Sequence, residues 1–541
     1  MGNNQELHLF GTNPPERRRR ISNVNTSGKT DTAPWWSGAL AGVLAAATGV
    51  SVATGLAAVL TGVPSPIESV GNQAIDQAPP FLKEFAVKQF GTADKPILIG
   101  GVIVTLAIVA AVAGVIGRTK PKIAYGIIGL IGLVAVFTAA IDRTATANRV
   151  LTMIPALVAL VVSLAGFWFF LGALRFAPKS GDELPSTFNR RKFLQAALGA
   201  SALIVVGGAV GKLFGSAAAA ASRAGIRIGR AADAAPAIAS GTEVDLKGIS
   251  SYITSNREFY RVDTALRVPD VPAEGWTLRV HGMVDKELNL SFRDLMGMAL
   301  VERRITLTCV SNEVGGPYVG NASWIGVPIK DILAKAGVKA GADAVKSTSA
   351  DAWTCGTPLE AVTDDRNAII AIGMNGEPLP LAHGFPARMV VPGLYGYVSA
   401  TKWLVDIEVT RFADFKAYWT TRDYDAEAPI KMSSRIDVPR SFQSFRRDAV
   451  RVGGVAWAQT KGVKRVEVKV DSGPWVDADL GTEDNIETWR QWSWKWADAT
   501  KGRHTLTVRA TDADGTTQTS DRSRIRPNGT TGWHSVQFTV E

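Results

Sequence analysis

The 541-residue chain has little cysteine and little histidine: two cysteines, Cys309 and Cys355, and five histidines. Two cysteines cannot build the disulfide network that holds small secreted domains together, so that class of protein is excluded. A net charge of +10 is compatible with nucleic-acid binding, but the basic residues cluster beside apolar segments instead of forming one stripe. We therefore expect no nucleic-acid partner.

Charged residues are missing from long segments of the N-terminal half. Each segment has about the 20 residues that a helix needs to cross a bilayer. Five of them make a soluble helical core improbable, so the sequence predicts an all-α membrane region with five spans, in contact with membrane lipid. The predicted spans are roughly 38–62, 97–117, 123–141, 150–174 and 193–211.

Lys and Arg residues are distributed unequally between the two sides of these spans. Thirteen lie in the tail before the first span and in the loops that follow the second and fourth spans. The opposite loops carry only Lys83, Lys88, Lys95, Arg143 and Arg149. Because basic residues stay on the cytoplasmic side, we expect a cytoplasmic tail at 1–37 and an extracytoplasmic C-terminal half.

Histidine is absent between His8 and His281. A haem held by two histidines between the spans is therefore excluded, and we expect no haem. The spans also lack acids or bases that could relay protons. A five-helix transporter is disfavoured for the same reason, and the helices are interpreted as an anchor or a partner-docking surface.

The segment 186–194, Ser-Thr-Phe-Asn-Arg-Arg-Lys-Phe-Leu, resembles a twin-arginine export signal before the fifth span. That pathway carries folded proteins, which suits a domain that takes up its cofactor in the cytoplasm. The Ala-rich stretch 217–221 is compatible with a cleavage site or with a flexible connection, and we favour retention as an anchor.

The C-terminal half has ordinary globular composition. Small residues predict a linker over 215–249, followed by one domain at 250–424 and another at 425–541. The first mixes predicted strands, such as Trp276–Gly282, with short helices at Ser291–Met298 and Val327–Ala336. It shows no regular βαβ alternation, which favours an α+β fold.

The second domain alternates apolar and polar residues in repeated short runs, which predicts a β-sandwich. These runs are 450–457, 463–470, 504–510 and 533–540. The domain is rich in tryptophan, and we expect these indoles in its core and interfaces. Trp457, Trp475, Trp489, Trp492, Trp494, Trp496 and Trp533 form this set.

One segment carries candidate chemistry. A predicted strand, 304–308, delivers Cys309 to a loop that contains Gly315 and Gly316. A thiolate there can ligate a soft metal, act as a nucleophile or remain inert. From this segment alone, inert burial or a disulfide with Cys355 is favoured.

The order of motifs around Cys309 resembles that of sulfite oxidase-type molybdopterin enzymes over roughly 250–541. The most specific motif is His-Gly-Phe-Pro-Ala-Arg-Met-Val-Val-Pro-Gly at 383–393. Others are Phe-Tyr-Arg at 259–261, Ser-Trp-Ile-Gly-Val-Pro at 323–328, Met-Asn-Gly-Glu-Pro-Leu-Pro at 374–380 and Lys-Trp-Leu at 402–404.

The resemblance implies a sulfite oxidase-like molybdopterin domain with a molybdenum–molybdopterin cofactor (a Mo-pyranopterin) and Cys309 as the metal's thiolate ligand and catalytic residue. It further implies an Ig-like C-terminal dimerisation domain and hence a homodimer. Arginine, lysine and hydroxyl groups suit a phosphate. The implied cofactor-binding residues are Tyr260, Arg261, Cys309, Ser349, His383, Arg388, Ser399, Thr401 and Lys402.

Two departures from the family pattern bear on the substrate. Sulfite oxidases place arginines shortly after the ligand cysteine, where this chain has Glu313 and Val314, and a tyrosine where it has Ile372. A pocket without those groups should bind sulfite poorly. We expect oxygen-atom transfer on a small S- or N-oxide, with electrons exchanged with a separate partner. The alternative is a non-catalytic exported module for binding or assembly that retains the fold.

Overall fold

The computed structural model describes residues 34–541 except 61, 80–81, 83–84, 87–88, 91–92, 146, 176–189 and 215–216. The described part consists of an N-terminal helical region and a β-rich C-terminal half. Residues 1–33 of the predicted cytoplasmic tail and residues 186–189 of the twin-arginine motif lie outside the described residues, whereas the rest of the motif, 190–194, begins a helix.

Four helices of the N-terminal region are long and apolar enough to cross a membrane. They are α1 (Trp35–Val59), α3 (Asp94–Gly117), α4 (Pro121–Ala140) and α5 (Arg149–Arg175). They correspond to the first four predicted spans, each shifted by a few residues. The fifth predicted span lies in α6 (Arg190–Phe214), whose apolar part, Leu194–Val210, falls short of the other four.

Small residues bring α1 and α3 into backbone contact. A Cβ atom added at Gly42 would lie 1.9 Å from the Ala110 carbonyl oxygen, and one at Gly114 would lie 1.9 Å from the Gly38 carbonyl oxygen. Such close approach between apolar helices is favourable because packing, not the hydrophobic effect, drives helix association in a bilayer.

A further short helix, α2 (Pro66–Gln77), lies between the first two predicted spans, where no helix is predicted. Ser65 caps its N-terminus, and Glu68 completes a capping box. Its apolar residues are too few for a span, so only the capping signal could have revealed it.

The predicted linker at 215–249 is in fact attached to the domain that follows. Its first part forms α7 (Ala217–Gly225). The Ala219 amide donates to Asp270 Oδ1 over 2.7 Å, and the Arg223 guanidinium donates to the carbonyl oxygens of Pro378 and Leu379. Composition alone suggested flexibility, but these polar contacts fix the segment.

The domain from 250 to 424 contains one mixed sheet, one antiparallel sheet and short helices. The first sheet has the strand order β2-β1-β10-β5-β6, in which β1 and β10 are parallel; the second has the order β3-β4-β7-β8, and β9 also pairs with β7. The strands are β1 (Thr277–Gly282), β2 (Leu288–Ser291), β3 (Val301–Thr308), β4 (Val319–Pro328), β5 (Ala344–Ser349), β6 (Thr354–Pro358), β7 (Ile369–Met374), β8 (Glu377–Pro378), β9 (Arg388–Val390) and β10 (Leu404–Thr410).

The predicted helices of this domain are present with small shifts. The first, α8 (Phe292–Met296), has Ser291 as its N-cap. The second, α9 (Ile329–Ala336), starts two residues late because Val327 and Pro328 extend β4. A third helix, α10, spans Glu360–Thr363. Strand β7 is buried along its whole length and lies at the centre of the core.

The C-terminal domain consists of two sheets with the orders β11-β13-β17-β16 and β12-β19-β18-β14-β15. Trp492 and Phe538 are among the buried residues of its core. Trp457 and Trp489 are also buried, but they pack against the preceding domain, so they lie at the interface between the two domains. The strands are β11 (Ser433–Val438), β12 (Ser444–Phe445), β13 (Arg451–Trp457), β14 (Val463–Val470), β15 (Val476–Asp477), β16 (Asp479–Leu480), β17 (Arg490–Lys495), β18 (Gly502–Asp512) and β19 (His534–Val540).

A buried ion pair joins the two C-terminal domains. Arg304 on β3 donates to both carboxylate oxygens of Asp484, over 2.6 and 2.7 Å, and both side chains are almost fully buried. The Tyr252 hydroxyl donates to the same carboxylate over 2.8 Å. These contacts fix the strand that leads to Cys309 against the C-terminal domain.

Replacing Arg304 with Met should lower the free energy of unfolding by about 3 kcal/mol or more, because it leaves the Asp484 carboxylate buried without its cation. Thermal unfolding of the detergent-solubilised protein measures this effect. The matched control is Arg446→Met, which breaks the exposed pair with Asp448 and should leave the unfolding temperature unchanged. Equal unfolding temperatures for both variants would contradict the prediction.

Candidate active site

Cys309 lies where β3 ends and the chain turns sharply. Its amide donates to the Tyr318 carbonyl oxygen over 2.9 Å, and its carbonyl oxygen accepts from the Asn312 amide over 3.0 Å. The thiol is buried, and the Ser311 amide donates to Sγ over 3.4 Å. Burial raises the pKa of the thiol, so the structure holds this sulfur as a shielded, neutral group unless a cation or metal stabilises the thiolate.

The loop after Cys309 is fixed by the C-terminal domain. Thr530 Oγ1 donates to the Asn312 carbonyl oxygen over 2.8 Å, and Arg435 Nη1 donates to the Gly316 carbonyl oxygen over 3.1 Å. Gly315 has a φ of +79°, and a Cβ atom there would lie 2.3 Å from the His534 ring. The loop therefore needs glycine at 315 and depends on residues more than 100 positions away.

The disulfide between Cys309 and Cys355, one of the alternatives that the cysteine segment alone favoured, is not formed, because both cysteines are free. Cys355 lies on β6, in the other sheet of the domain. Its sulfur is 3.7 Å from Thr357 Oγ1, and burial raises its pKa to about 11. Cys355 is thus an inert core residue.

Tyr260 is a buried phenol close enough to Cys309 and Arg388 to interact with both electrostatically. Its ring stacks on Phe259, with 5.2 Å between the ring centroids, and tilts against Tyr318 at 6.5 Å. Burial and the adjacent Cys309 raise the pKa of the phenol, although Arg388 opposes this. Tyr260 is therefore neutral and offers a hydroxyl near both the sulfur and the guanidinium.

The motif that begins at His383 brings two cationic residues together. Gly384 has a φ of +111°, and a Cβ atom there would lie 3.0 Å from Arg388 Cβ and 3.1 Å from Lys402 Cβ. Only glycine accepts both this conformation and this close approach. The His-Gly pair is thus required for Arg388 and Lys402 to lie side by side.

His383 is a neutral imidazole with a defined tautomer. Its Nε2 is 3.0 Å from the Asn256 carbonyl oxygen and must carry the proton, because a carbonyl can only accept. Burial and the neighbouring Arg388 lower its pKa to about 4. Nδ1 is therefore an acceptor.

The Arg388 guanidinium is buried without a counter-charge. It donates to the His383 carbonyl oxygen over 3.1 Å and lies 5.1 Å above the Trp324 ring. Burial lowers its pKa to about 10. Among the described residues, no carboxylate forms an ion pair with it. A buried guanidinium in this situation is a binding group for an anion.

One carboxylate organises the other cations. Asp263 Oδ2 accepts from Lys402 over 2.5 Å and from Arg261 over 2.8 Å, and its Oδ1 contacts Lys95 at the start of α3. Burial alone would raise the pKa of Asp263, but these cations outweigh it and hold the pKa well below its usual range. Burial lowers the pKa of Lys402 to about 8, although Asp263 opposes this.

The polar atoms around this cluster fit a large anionic ligand. With Arg388, which does not contact Asp263, the cluster holds four cations and one carboxylate. Within the described part of the chain, Ser349 Oγ and Thr308 Oγ1 are buried without a hydrogen-bond partner. A buried hydroxyl without a partner is costly, so a ligand with phosphate oxygens and polar ring edges suits the site.

The structure thus brings Tyr260, Arg261, Cys309, His383, Arg388 and Lys402 together, with Ser349 among the unsatisfied groups. The other two predicted residues, Ser399 and Thr401, differ from Ser349 because their hydroxyls have hydrogen-bond partners. The Ser399 hydroxyl donates to the carbonyl oxygens of Leu394 and Tyr395, and the Thr401 hydroxyl lies 2.7 Å from Ser347 Oγ. Their hydroxyls thus have partners within the protein, unlike that of Ser349.

The departures from the family pattern occupy different environments. Glu313 is exposed on the loop after Cys309, and Val314 beside it is half-buried. Ile372 is fully buried in β7.

Sequence reasoning missed Asn256, Asp263, Tyr318 and Lys95. Asp263 had one usable signal, its position two residues after Arg261, whereas Lys95 had none because it is 168 residues from its partner.

His383 should make stability depend on acid pH. Its folded pKa of about 4 lies below the ordinary 6.5, so the unfolded chain binds more protons between these values, and stability falls as pH falls through this window. One pKa unit corresponds to about 1.4 kcal/mol. His383→Gln should therefore reduce the loss between pH 6.5 and 4 by up to about 3 kcal/mol in urea unfolding. An unchanged slope would contradict this assignment.

Comparisons with known proteins agree with the sequence resemblance. A family described as the oxidoreductase molybdopterin binding domain matches residues 265–419. Human mitochondrial sulfite oxidase is 30% identical over 289 residues, which cover 45% of this chain and 52% of that protein. The chain thus spans about half the length of the sulfite oxidases first matched.

A bacterial oxidoreductase and one solved structure are also similar to this chain. The uncharacterized oxidoreductase YuiH of Bacillus subtilis is 37% identical over 149 residues, which cover 28% of this chain and 72% of that protein. Among solved structures, the sulfane dehydrogenase SoxCD of Paracoccus pantotrophus matches 55% of this chain and 90% of its own, with 22% identity and a TM-score of 0.46. The identity to YuiH over most of its length, the matched domain and the sulfite oxidases together show that the chain belongs to the sulfite oxidase-type family of molybdopterin-dependent oxidoreductases.

Proposed function

We propose that this chain is a membrane-anchored, exported molybdenum enzyme that transfers an oxygen atom to or from a small substrate. The observation that carries the proposal is a buried thiol, Cys309, beside a cluster of buried cations that lacks enough carboxylate to balance it. That combination suits a ligand that offers both a soft metal and a phosphate. When bound, the molybdenum cofactor would supply two-electron oxygen-atom transfer.

The roles of the residues follow from their chemistry. Cys309 would ligate the metal as a thiolate. Arg388, Lys402 and Arg261 would bind the phosphate. His383 Nδ1 and Ser349 Oγ would hold the polar edges of the pterin, as acceptor and as a hydroxyl otherwise left without a partner. Because all these groups are buried or half-buried, they would also exclude water from the site.

The substrate class follows from what surrounds Cys309. The loop after it carries Glu313 and Val314 instead of arginine, and the phenols of Tyr260, Tyr318 and Tyr395 lie close enough to interact with Cys309. This environment favours a neutral S- or N-oxide over the sulfite anion. We propose a separate electron-transfer partner, and a homodimer formed through the C-terminal domain, which we interpret as Ig-like.

Cys309→Ser should abolish catalysis while Cys355→Ser should not. Replacing a metal ligand should cost at least about 100-fold in turnover, since even residues that only orient a ligand cost 10- to 100-fold. The two buried cysteines form a matched pair, and Cys355 lies among hydroxyl groups that tolerate serine. The full chain should be purified in detergent from a host that makes the cofactor, and its molybdenum content measured.

The same preparation tests the substrate class. A viologen-linked assay should compare S-oxides, N-oxides and nitrate, and a parallel oxidation assay should test sulfite. Reduction of an S- or N-oxide above sulfite oxidation is the expected result. Wild-type protein without molybdenum would instead support a non-catalytic binding or assembly module, and equal activity of the two cysteine variants would contradict the role of Cys309 as the metal ligand.

The membrane placement rests on charge asymmetry and on docking. The β-rich half contacts the ends of the helices that carry few Lys and Arg residues, through Lys95 and Arg143. The positive-inside rule makes this face extracytoplasmic. We propose that α6 is the fifth span, retained as an anchor, and that the twin-arginine motif before it directs export.

Labelling of introduced cysteines should reveal this topology, because both native cysteines are buried. In intact cells, a membrane-impermeant maleimide should label Ser472→Cys, which is exposed in the C-terminal domain, but not Lys120→Cys between α3 and α4. Replacing both Arg190 and Arg191 with Lys should prevent labelling at 472. The reverse labelling pattern would contradict the orientation, and unchanged labelling of the double-Lys variant would exclude the twin-arginine route.

A further inference from the structure

We propose that the membrane region supplies part of the cofactor site: Lys95, at the outer end of α3, acts as a positioning residue for the cations that bind the phosphate. The inference rests on the proposed function, because it concerns the same anion site. It goes beyond it by assigning the helices a role other than anchoring.

The contact is a nearly buried ion pair across 168 residues of sequence. The Lys95 side chain is 17% exposed and that of Asp263 is 5% exposed. Lys95 contacts Oδ1 of Asp263, Lys402 contacts Oδ2, and Arg261 donates to Oδ2 over 2.8 Å and to Oδ1 over 3.4 Å. Lys95 is therefore the main cation at Oδ1, whereas the cations of the cofactor site are held mainly by Oδ2.

This arrangement fixes the positions of Lys402 and Arg261. A carboxylate at this burial requires compensating cations. Without Lys95, Oδ1 would keep only the long contact with Arg261, and the carboxylate would draw the remaining cations more tightly or turn toward them. Either movement would reduce what Lys402 and Arg261 offer to an anion. Lys95 also adds one positive charge to the cluster.

A second group of contacts holds the membrane region in place independently of Lys95. Arg143, after α4, donates to both oxygens of Asp76 on α2, over 2.8 and 3.2 Å, and to the Asp351 carbonyl oxygen over 2.9 Å. The Tyr418 hydroxyl donates to Asp76 Oδ1 over 3.0 Å, and the Arg422 guanidinium stacks 3.7 Å from the centre of the Tyr418 ring.

These contacts make the docked position specific. They lie on the same outer face as Lys95, and Asp351 is only two residues from Ser349. Loss of Lys95 alone should therefore leave the two parts docked. Its effect should appear at the cofactor, not in the overall assembly.

Cofactor retention in the full chain provides the test. Wild type, Lys95→Gln and Lys95→Arg should be purified in detergent, together with the control Lys122→Gln, which removes an exposed lysine at the other end of the membrane region. Molybdenum per protein and released pterin should be followed during dialysis. We expect about 10-fold faster loss from Lys95→Gln, and wild-type retention for Lys95→Arg and Lys122→Gln.

A double-mutant cycle with Asp263→Asn tests whether Lys95 acts through this carboxylate. The double variant should lose cofactor no faster than the more impaired single variant, because coupled residues are not additive. Wild-type retention by Lys95→Gln would overturn the inference. So would equal loss from Lys95→Arg together with a lower unfolding temperature, which would indicate general packing. Wild-type protein that never contains molybdenum would instead overturn the proposed function.

Discussion

The architecture of this protein depends on positive charge that is buried around a single carboxylate. Lys402 and Arg261 share one oxygen of Asp263, Lys95 contacts the other, and Arg388 has no acidic partner among the described residues. Removing such charges from water costs several kcal/mol each. A chain that retains them without enough counter-charge has a site shaped for an anion, and the elements around it serve to hold those cations in place.

The cations and the thiol are held from opposite sides. The C-terminal domain fixes the loop after Cys309 through Thr530, Arg435 and His534. The N-terminal helical region contacts the Asp263 end through Lys95. The central domain supplies the candidate ligand-binding groups, but their geometry relies on both neighbours. The site is therefore a property of the whole chain rather than of the molybdopterin domain alone.

Features that local physics determines could be predicted from the sequence. Four apolar segments became long helices, and Ser291 caps α8, because length, hydropathy and capping act over a few residues. The motif at 383–393 predicted His383 and Arg388 as site residues, and Gly384 within this motif provides the backbone conformation that the site requires. In contrast, the Asp263–Lys95 pair arises from tertiary packing over 168 residues, and no local pattern encodes it. The segment predicted as a linker is attached to the following domain for the same reason, since its composition gave no sign of the contacts made by Arg223.

The magnitude of the electrostatic terms indicates which departure matters more for the substrate. Glu313 is exposed, and two unit charges 4 Å apart in water interact by only about 1 kcal/mol, which salt weakens further. Its repulsion of an anion would therefore change binding by less than about tenfold. A buried arginine that donates two hydrogen bonds to an oxyanion contributes more, because such charge-assisted bonds are worth roughly 1.5–3 kcal/mol each. The proposed preference against sulfite should thus come mainly from the absence of arginine at positions 313 and 314, and only secondarily from the carboxylate at 313.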